Sequence, residues 1–251
     1  MGYGTAHRMK PAPHICFTGS AAIDGKRLFA PLTLDICAKQ WTCVLGPSGV
    51  GKSTILRLIA GLDTFVDFDG QITANDAQSL SGRVAYMAQS DLLFPWLNVA
   101  DNVGIGASLR GLQIDTDRVA KMIARVGLTD HTTKKPASLS GGQRQRVALA
   151  RTLMEDRPVI LLDEPFSALD AKTRAEMHEL AAELLSERTV LLVTHDPAEA
   201  ARLAHTGYIM HENGVTRMEM PDTAPVRDYD DPDTLNCQGA LFRALRGDTP
   251  S

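Results

Sequence analysis

The run Gly46-Pro47-Ser48-Gly49-Val50-Gly51-Lys52-Ser53-Thr54 matches the pattern G-x-x-x-x-G-K-[ST]. Its residue types suit bound phosphate. The glycines let successive backbone N–H groups turn inward around phosphate oxygens. A helix that begins where the loop ends aims its positive dipole end at the same anion. Lys52 is placed to reach β- and γ-phosphates, and Ser53 to ligate Mg²⁺. The pattern carries weight only between a strand and a helix, and both are predicted. Residues 41–45 read as a buried strand, and Ile55, Leu56, Leu58, Ile59 and Leu62 fall on one helical face, with Gly61 loosening the last turn.

Asp163 and Glu164 close a second, fully apolar run, Val159-Ile160-Leu161-Leu162. Two carboxylates at a strand end are costly unless they face a cation or water. Asp163 is placed to hold the Mg²⁺ shell, and Glu164 to orient or polarise an attacking water. Alone, the pair also fits a capped strand end; beside the phosphate loop the chemical reading is the stronger. Further along, Leu139-Ser140-Gly141-Gly142-Gln143 precedes a helix through Val147 and Ala150 to Met154. Glycines at a helix start leave backbone donors bare, so Ser140, Gly141, Gly142 and Gln143 form a second anion site. Two phosphate-reading surfaces on one chain suggest that each site is completed by another copy.

The elements that must position these residues alternate. Short strands are expected at 15–17 and 32–36, then at 41–45, 83–88, 159–162 and 190–193. Residues 92–153 carry a helical pattern broken at Gly111, Gly127 and Pro136, and a helix of about four turns spans 171–186. Apolar strands alternating with helices indicate a parallel sheet covered on both faces, with ligands at the carboxyl ends of its strands. After Val215 the pattern fades; residues 221–233 read as an exposed linker and 234–246 as one short helix. No internal repeat is visible.

On these residues the chain resembles the ATP-binding subunits of ABC transporters. The phosphate loop, the LSGGQ signature at 139–143, Asp163-Glu164, Ser167-Ala168-Leu169-Asp170 as the D-loop and His195 as the switch histidine occur in the family's order from about residue 15 to 215. The resemblance implies a P-loop NTPase (RecA-like) α/β core with a mostly parallel sheet, an antiparallel β edge and an inserted helical subdomain. It assigns 14–88 and 154–218 to the core, 89–153 to the helical subdomain and 219–251 to a short tail. It makes Gln89 the Q-loop glutamine, a catalytic and Mg²⁺-shell residue with Ser53 and Asp163. It implies ATP and Mg²⁺, and a head-to-tail homodimer with ATP between the loop of one copy and the signature of the other. Separate transmembrane permease subunits dock near the Q-loop, and a substrate-binding protein acts indirectly. The place implied is the cytoplasmic face of the inner membrane. Asp196, Pro197 and Glu199 read as N-cap, N1 and N3, so a helix should start directly after His195.

One departure stands out. Many relatives place an aromatic residue before the loop to stack on adenine, but Ser20-Ala21-Ala22-Ile23-Asp24 contains none. Phe17 and Phe29 have the phase of core residues, which leaves Ile23 as the substitute. A glycine turn usual before the loop strand is replaced by Ala38-Lys39-Gln40.

The segment Leu92-Leu93-Phe94-Pro95-Trp96-Leu97 after Gln89 reads either as a partner-binding patch or as packing of the helical subdomain. It is similar to importer ATPases of the nitrate, sulfonate and taurine group, and the absence of a fused membrane domain agrees. Composition narrows the rest. A net charge of -4 gives no reason to expect nucleic acid as the main partner, although it leaves room for a local basic patch. No apolar run approaches bilayer length, and residues 1–14 lack the apolar core of a secretory signal. Cys16, Cys37, Cys43 and Cys237 have neither metal nor disulfide spacing and read as small reduced residues. The rival function is a soluble ABC ATPase acting on DNA, ribosomes or iron–sulfur assembly. Ribosome-associated members usually carry two such domains in one chain and DNA-repair members insert long coiled coils, and neither feature is read in this sequence.

Overall fold

In a computed structural model, residues 11–62 and 64–247 are described. Residues 1–10, part of the stretch read for a leader segment, and the last tail residues, 248–251, lie outside the described residues.

The chain folds as an α/β P-loop NTPase with a mixed sheet. Three strands with no polar exposure, β3 (Trp41–Leu45), β6 (Val159–Asp163) and β7 (Thr189–Val193), are buried along their whole length. Runs of this kind suit a sheet covered on both faces. With β5 (Val84–Met87), β8 (Thr206–His211) and β9 (Gly214–Met218) they form a six-stranded sheet in the order β5-β6-β7-β3-β8-β9. All neighbours run parallel except β8 and β9. A separate antiparallel sheet carries β1 (Ile15–Ile23) between β2 (Lys26–Ile36) and β4 (Asp67–Ala74).

Alternate residues of the central strands feed two cores. Leu161, Leu191 and Val193 pack with the antiparallel sheet and α1 (Lys52–Ile59). Ile160, Leu162, Val190 and Leu192 pack with α4 (Gly141–Met154), α5 (Ala171–Leu184) and α6 (Pro197–Leu203). The helical stretch resolves into α2 (Val99–Leu109), α3 (Thr116–Arg125) and α4, separated at Gly111 and Gly127 and by a 3₁₀ turn at Pro136–Ser138. No helix among the described residues is long and apolar enough to cross a membrane.

Several local expectations change. Both strands β4 and β9 escape a sequence reading, because Asp67, Asp69 and Gly70 interrupt any apolar alternation in β4 and β9 is half exposed. Helix α1 stops at Ile59: Gly61 takes φ 68, and the Leu62 N–H returns to the Arg57 carbonyl at 2.9 Å. Gly61 therefore ends the helix rather than loosening it, and Leu62 lies beyond it, exposed. Residues 92–97 are not helical. Asn102, fully buried, holds that segment: its Oδ1 accepts from the Phe94 N–H at 2.8 Å and its Nδ2 donates to the carbonyls of Phe94, Leu97 and Asn98. The expected exposed linker at 221–233 contains a buried arginine. Arg227 donates to the carbonyls of Ala201, Ala204, Pro221 and Thr223, which straps this segment to the end of α6. It leads into α7 (Pro232–Leu245), capped by Asp231.

Candidate active site

Parallel strands β3, β6 and β7 deliver their carboxyl ends to one edge of the sheet, which brings three distant stretches of chain together. The loop after β3 turns into α1 at Gly51, with φ 103. A Cβ there would stand 2.8 Å from the Phe29 ring, so both the backbone angle and the close approach require glycine. Lys52 is buried, and its Nζ donates to the carbonyls of Gly46 and Pro47, 2.8 Å each, which folds it back over the loop. Burial pushes its pKa below the ordinary lysine value, against the pull of the Glu164 and Asp163 carboxylates.

At the end of β6, Asp163 is 2% exposed. Ser53 Oγ donates to its Oδ1 at 3.0 Å and Tyr86 Oη to its Oδ2 at 3.3 Å. Burial raises the Asp163 carboxyl above its usual range, while these two hydrogen bonds hold it down. Ser53 and Asp163 thus converge as two hard oxygen donors, the chemistry that Mg²⁺ takes from protein beside substrate phosphates. Among the described residues no group of three or more His, Cys, Asp or Glu could hold a metal; a Mg²⁺ site completed by phosphates and water does not need one.

Glu164 follows with φ 49, an uncommon angle for a side chain of this size. Its N–H donates to Val193 O, and its carbonyl accepts from Gln145 Nε2 and Ser167 Oγ. Three partners over-determine the strained turn. The carboxylate then meets two other predicted residues. Gln89 Nε2 donates to Glu164 Oε2 at 3.1 Å, and His195 Nδ1 stands 3.2 Å from the same oxygen. Glu164, Gln89 and His195 therefore share one carboxylate oxygen beside the Ser53–Asp163 pair.

Behind His195, Asp196 caps α6 by accepting from the Ala198 N–H at 2.8 Å, with Pro197 at N1. Glu199 at N3 turns inward instead of back to the cap. It is 3% exposed and accepts from Thr194 Oγ1 at 2.6 Å. Burial pushes its carboxyl up to about 7.

The signature residues lie elsewhere. Ser140 caps α4, and Gln143 reaches back to the Ser140 N–H in a capping box. Among the described residues no hydrogen bond or ion pair joins Ser140, Gly141, Gly142 or Gln143 to the phosphate loop of the same copy. Their nearest tie is through Gln145, whose amide takes the Ala168 N–H at 2.8 Å and donates to Glu164 O. Gln145 and Tyr86 were missed from sequence. Neither belongs to a pattern; each reaches the site through tertiary packing.

Among the described residues, no aromatic ring lines the space beside the phosphate loop. Phe17 and Phe29 are fully buried, and Ile23 is 41% exposed at the end of β1. A hollow of about 570 Å³ beside the loop is lined by Arg27, Leu28, Pro47, Ser48, Gly49, Val50, Glu212 and Asn213, with neither Ile23 nor an aromatic among them.

Comparison with known proteins agrees with this arrangement. Residues 29–167 match the family model described as ABC transporter. An uncharacterized ABC transporter ATP-binding protein of Haemophilus influenzae is 41% identical over 91% of this chain and 97% of its own length. An aliphatic sulfonates import ATP-binding protein of Agrobacterium fabrum is 44% identical over 76% of this chain and 73% of its own. Among solved structures, a dimeric ATP-binding cassette in a post-hydrolysis state bound to ADP and Pi superposes with TM-score 0.72 at 27% identity, covering 85% of this chain and 99% of that one.

Proposed function

The chain belongs to the ABC transporter family as an ATP-binding, ATP-hydrolysing subunit, and from that premise we propose that it powers a small-molecule importer by closing as an ATP-sandwiched homodimer. The observation that carries the mechanism is the shared oxygen: Gln89 and His195 both face Glu164 Oε2, next to Ser53 and Asp163. Backbone donors of residues 46–54 and the Lys52 ammonium cradle the phosphates. Ser53, Asp163 and Gln89 would hold Mg²⁺, which would supply positive charge beside the phosphate oxygens. Glu164 holds the attacking water and takes its proton; Gln89 and His195 fix the carboxylate and sense the γ-phosphate. Residues 140–143 of the second copy close the site. The relative bound to ADP and Pi as a dimer supports this reading. In this scheme 14–88 and 154–218 form the nucleotide core, 89–153 the signature subdomain and 219–251 a tail.

The same reading places the subunit on the cytoplasmic face of the inner membrane, against separate permease subunits. The segment after Gln89 divides the two roles left open by sequence. Leu93 packs in the core, whereas Leu92 and Trp96 are 64% and 66% exposed on a frame fixed by Asn102. A groove of about 460 Å³ runs beside them, between Leu92, Phe94, Leu109 and Arg151. An apolar pair on a rigid frame suits a partner helix. Leu92→Asp with Trp96→Asp should cut recovery of the subunit with detergent-extracted membranes at least tenfold. Nucleotide affinity of the isolated subunit should stay unchanged. Equal recovery with wild type would reject this docking surface. The sulfonate-import relative supports a small-molecule cargo.

The missing ring has its own consequence. Base stacking on an aromatic platform contributes about 1–3 kcal/mol and tolerates any base, so its loss leaves the base loosely held and its edge poorly oriented for readout. Values of kcat/KM for ATP and GTP are expected within about tenfold, a difference below about 1.4 kcal/mol. A preference of a hundredfold or more would show that hydrogen-bonding groups read the base edge.

A further inference from the structure

We propose that His131 is a positioning residue for the signature loop, holding Gln143 in the form that receives ATP from the second copy. The inference rests on the sandwich reading above and concerns a residue outside every motif. Gln143 has two ends. Its Oε1 accepts from the Ser140 N–H at 2.9 Å, which closes the capping box at the start of α4. That bond fixes the amide's orientation, so Gln143 Nε2 points away as a donor. It lies 2.9 Å from His131 Nε2. The ring nitrogen must therefore carry no proton and accept. With the box locked at both ends, the Gln143 N–H stays on Ser140 Oγ at 3.2 Å, and the N–H groups of residues 141 and 142 keep one direction as the donors that a γ-phosphate would meet.

His131 has a fixed base from which to do this. It ends a 3₁₀ turn, Thr129–His131, closed by its own N–H to Leu128 O and by the Lys134 N–H to His131 O. The residues that follow the turn, Thr132 and Lys134, offer their carbonyls to the Ala100 and Val99 N–H groups, the first free amides of α2. They clamp the turn to one helix while the imidazole reaches the next.

The choice of histidine also needs a reason. His131 Nδ1 is buried with no hydrogen-bond partner. An unpaired buried polar atom costs free energy, and an apolar side chain of similar size would avoid that cost. Of the ring's two nitrogens only Nε2 has a polar partner, and that partner is Gln143. Glutamine at 131 can place its amide oxygen near the Nε2 position; asparagine is too short, and leucine has no acceptor.

The test uses ATP-driven dimerisation in a Glu164→Gln background, measured by sedimentation at varied protein concentration, with a fluorescent ATP analogue reporting monomer affinity. His131→Leu and His131→Asn should each weaken dimerisation about five- to tenfold per signature loop, the worth of one hydrogen bond of about 1–1.4 kcal/mol. Monomer affinity should not change. His131→Gln should restore dimerisation to within about twofold of the parent. In otherwise wild-type protein the Leu variant should lower kcat at limiting protein concentration without raising the ATP concentration for half-saturation of the monomer. Equal dimerisation of the Leu variant and its parent would overturn the proposal. So would failure of the Gln variant to rescue, which would leave ring packing as the cause. If the parent itself does not dimerise with ATP, the sandwich reading has failed instead. Should His131→Leu not fold, as judged by its melting curve, the Asn and Gln pair decides alone.

Discussion

Glu164→Gln should bind ATP with near wild-type affinity and hydrolyse it at least about a hundredfold more slowly, the scale of a lost general base. The change swaps one oxygen for an amide and leaves the backbone untouched. Val193 O, Gln145 Nε2 and Ser167 Oγ hold that backbone, and none of them uses the side chain. The strained φ of 49 should therefore survive the substitution. What is lost is the anionic oxygen that Gln89 and His195 face together at 3.1 and 3.2 Å. An amide cannot take a proton from water at neutral pH, and its nitrogen, turned toward Gln89 Nε2, would set donor against donor. Phosphate binding depends on other atoms. Lys52 and the loop amides carry it, so Lys52→Ala should weaken nucleotide affinity where Glu164→Gln does not. Single-turnover hydrolysis with an equilibrium binding assay separates the two. Hydrolysis within about threefold of wild type in Glu164→Gln would remove Glu164 from the role, and Asp163 would be the carboxylate to examine next.

That assignment shows what a sequence can carry and where it stops. The meeting of Ser53 with Asp163 at one sheet edge is legible because each lies in a contiguous pattern at the end of an apolar strand. His195 is legible because a capped helix start follows it, and Asp196 and Pro197 behave as those residue types require. The sheet is legible through β6 and β7, whose apolar runs have no other comfortable place. Contacts between patterns are another matter. Nothing in residues 84–87 announces that Tyr86 will reach Asp163, or that Gln145 on α4 will bolt the signature helix to the Glu164 turn. Those meetings come from parallel strand order and helix packing, set by many weak contacts rather than by any short motif. Burial divides residues that read alike: Leu92 and Leu93 are neighbours of one type, yet one faces out and the other enters the core. Glu199 fits its expected helix position, but the direction of its carboxylate, inward to Thr194, depends on the space α6 leaves above β7.

Mixing a Lys52→Ala protein with a Gly142→Asp protein should restore ATPase activity that neither has alone. The Lys52 change removes the cation over the phosphates. At Gly142 the aspartate puts a carboxylate among the amides at the start of α4, where an ATP γ-phosphate would sit. Its Cβ would also press on Ala168 O at 3.1 Å. If one copy held its own nucleotide between its own loop and its own signature, every site in the mixture would still carry a lesion. If two copies exchange these surfaces head to tail, a heterodimer has one composite site with both lesions and one with none. The geometry favours exchange. Gln143 is tied to His131, the helix that residues 140–143 open is held to Ala168 through Gln145, and among the described residues no hydrogen bond or ion pair joins residues 140–143 to the loop at 46–54 of their own chain. On the proposed reading, closure over ATP would turn γ-phosphate binding into dimerisation, and the exposed pair Leu92 and Trp96, on a segment fixed by Asn102, would pass that motion to a bound helix. Activity in the mixture should rise with the heterodimer fraction and depend on total protein concentration, as a bimolecular step requires. A more direct refutation is also available. Glu164→Gln turns over too slowly to clear its ATP, so in Mg²⁺-free buffer it should run as a dimer on a sizing column. A stable ATP-loaded monomer at concentrations where wild type hydrolyses ATP would show that the second copy is not part of the site.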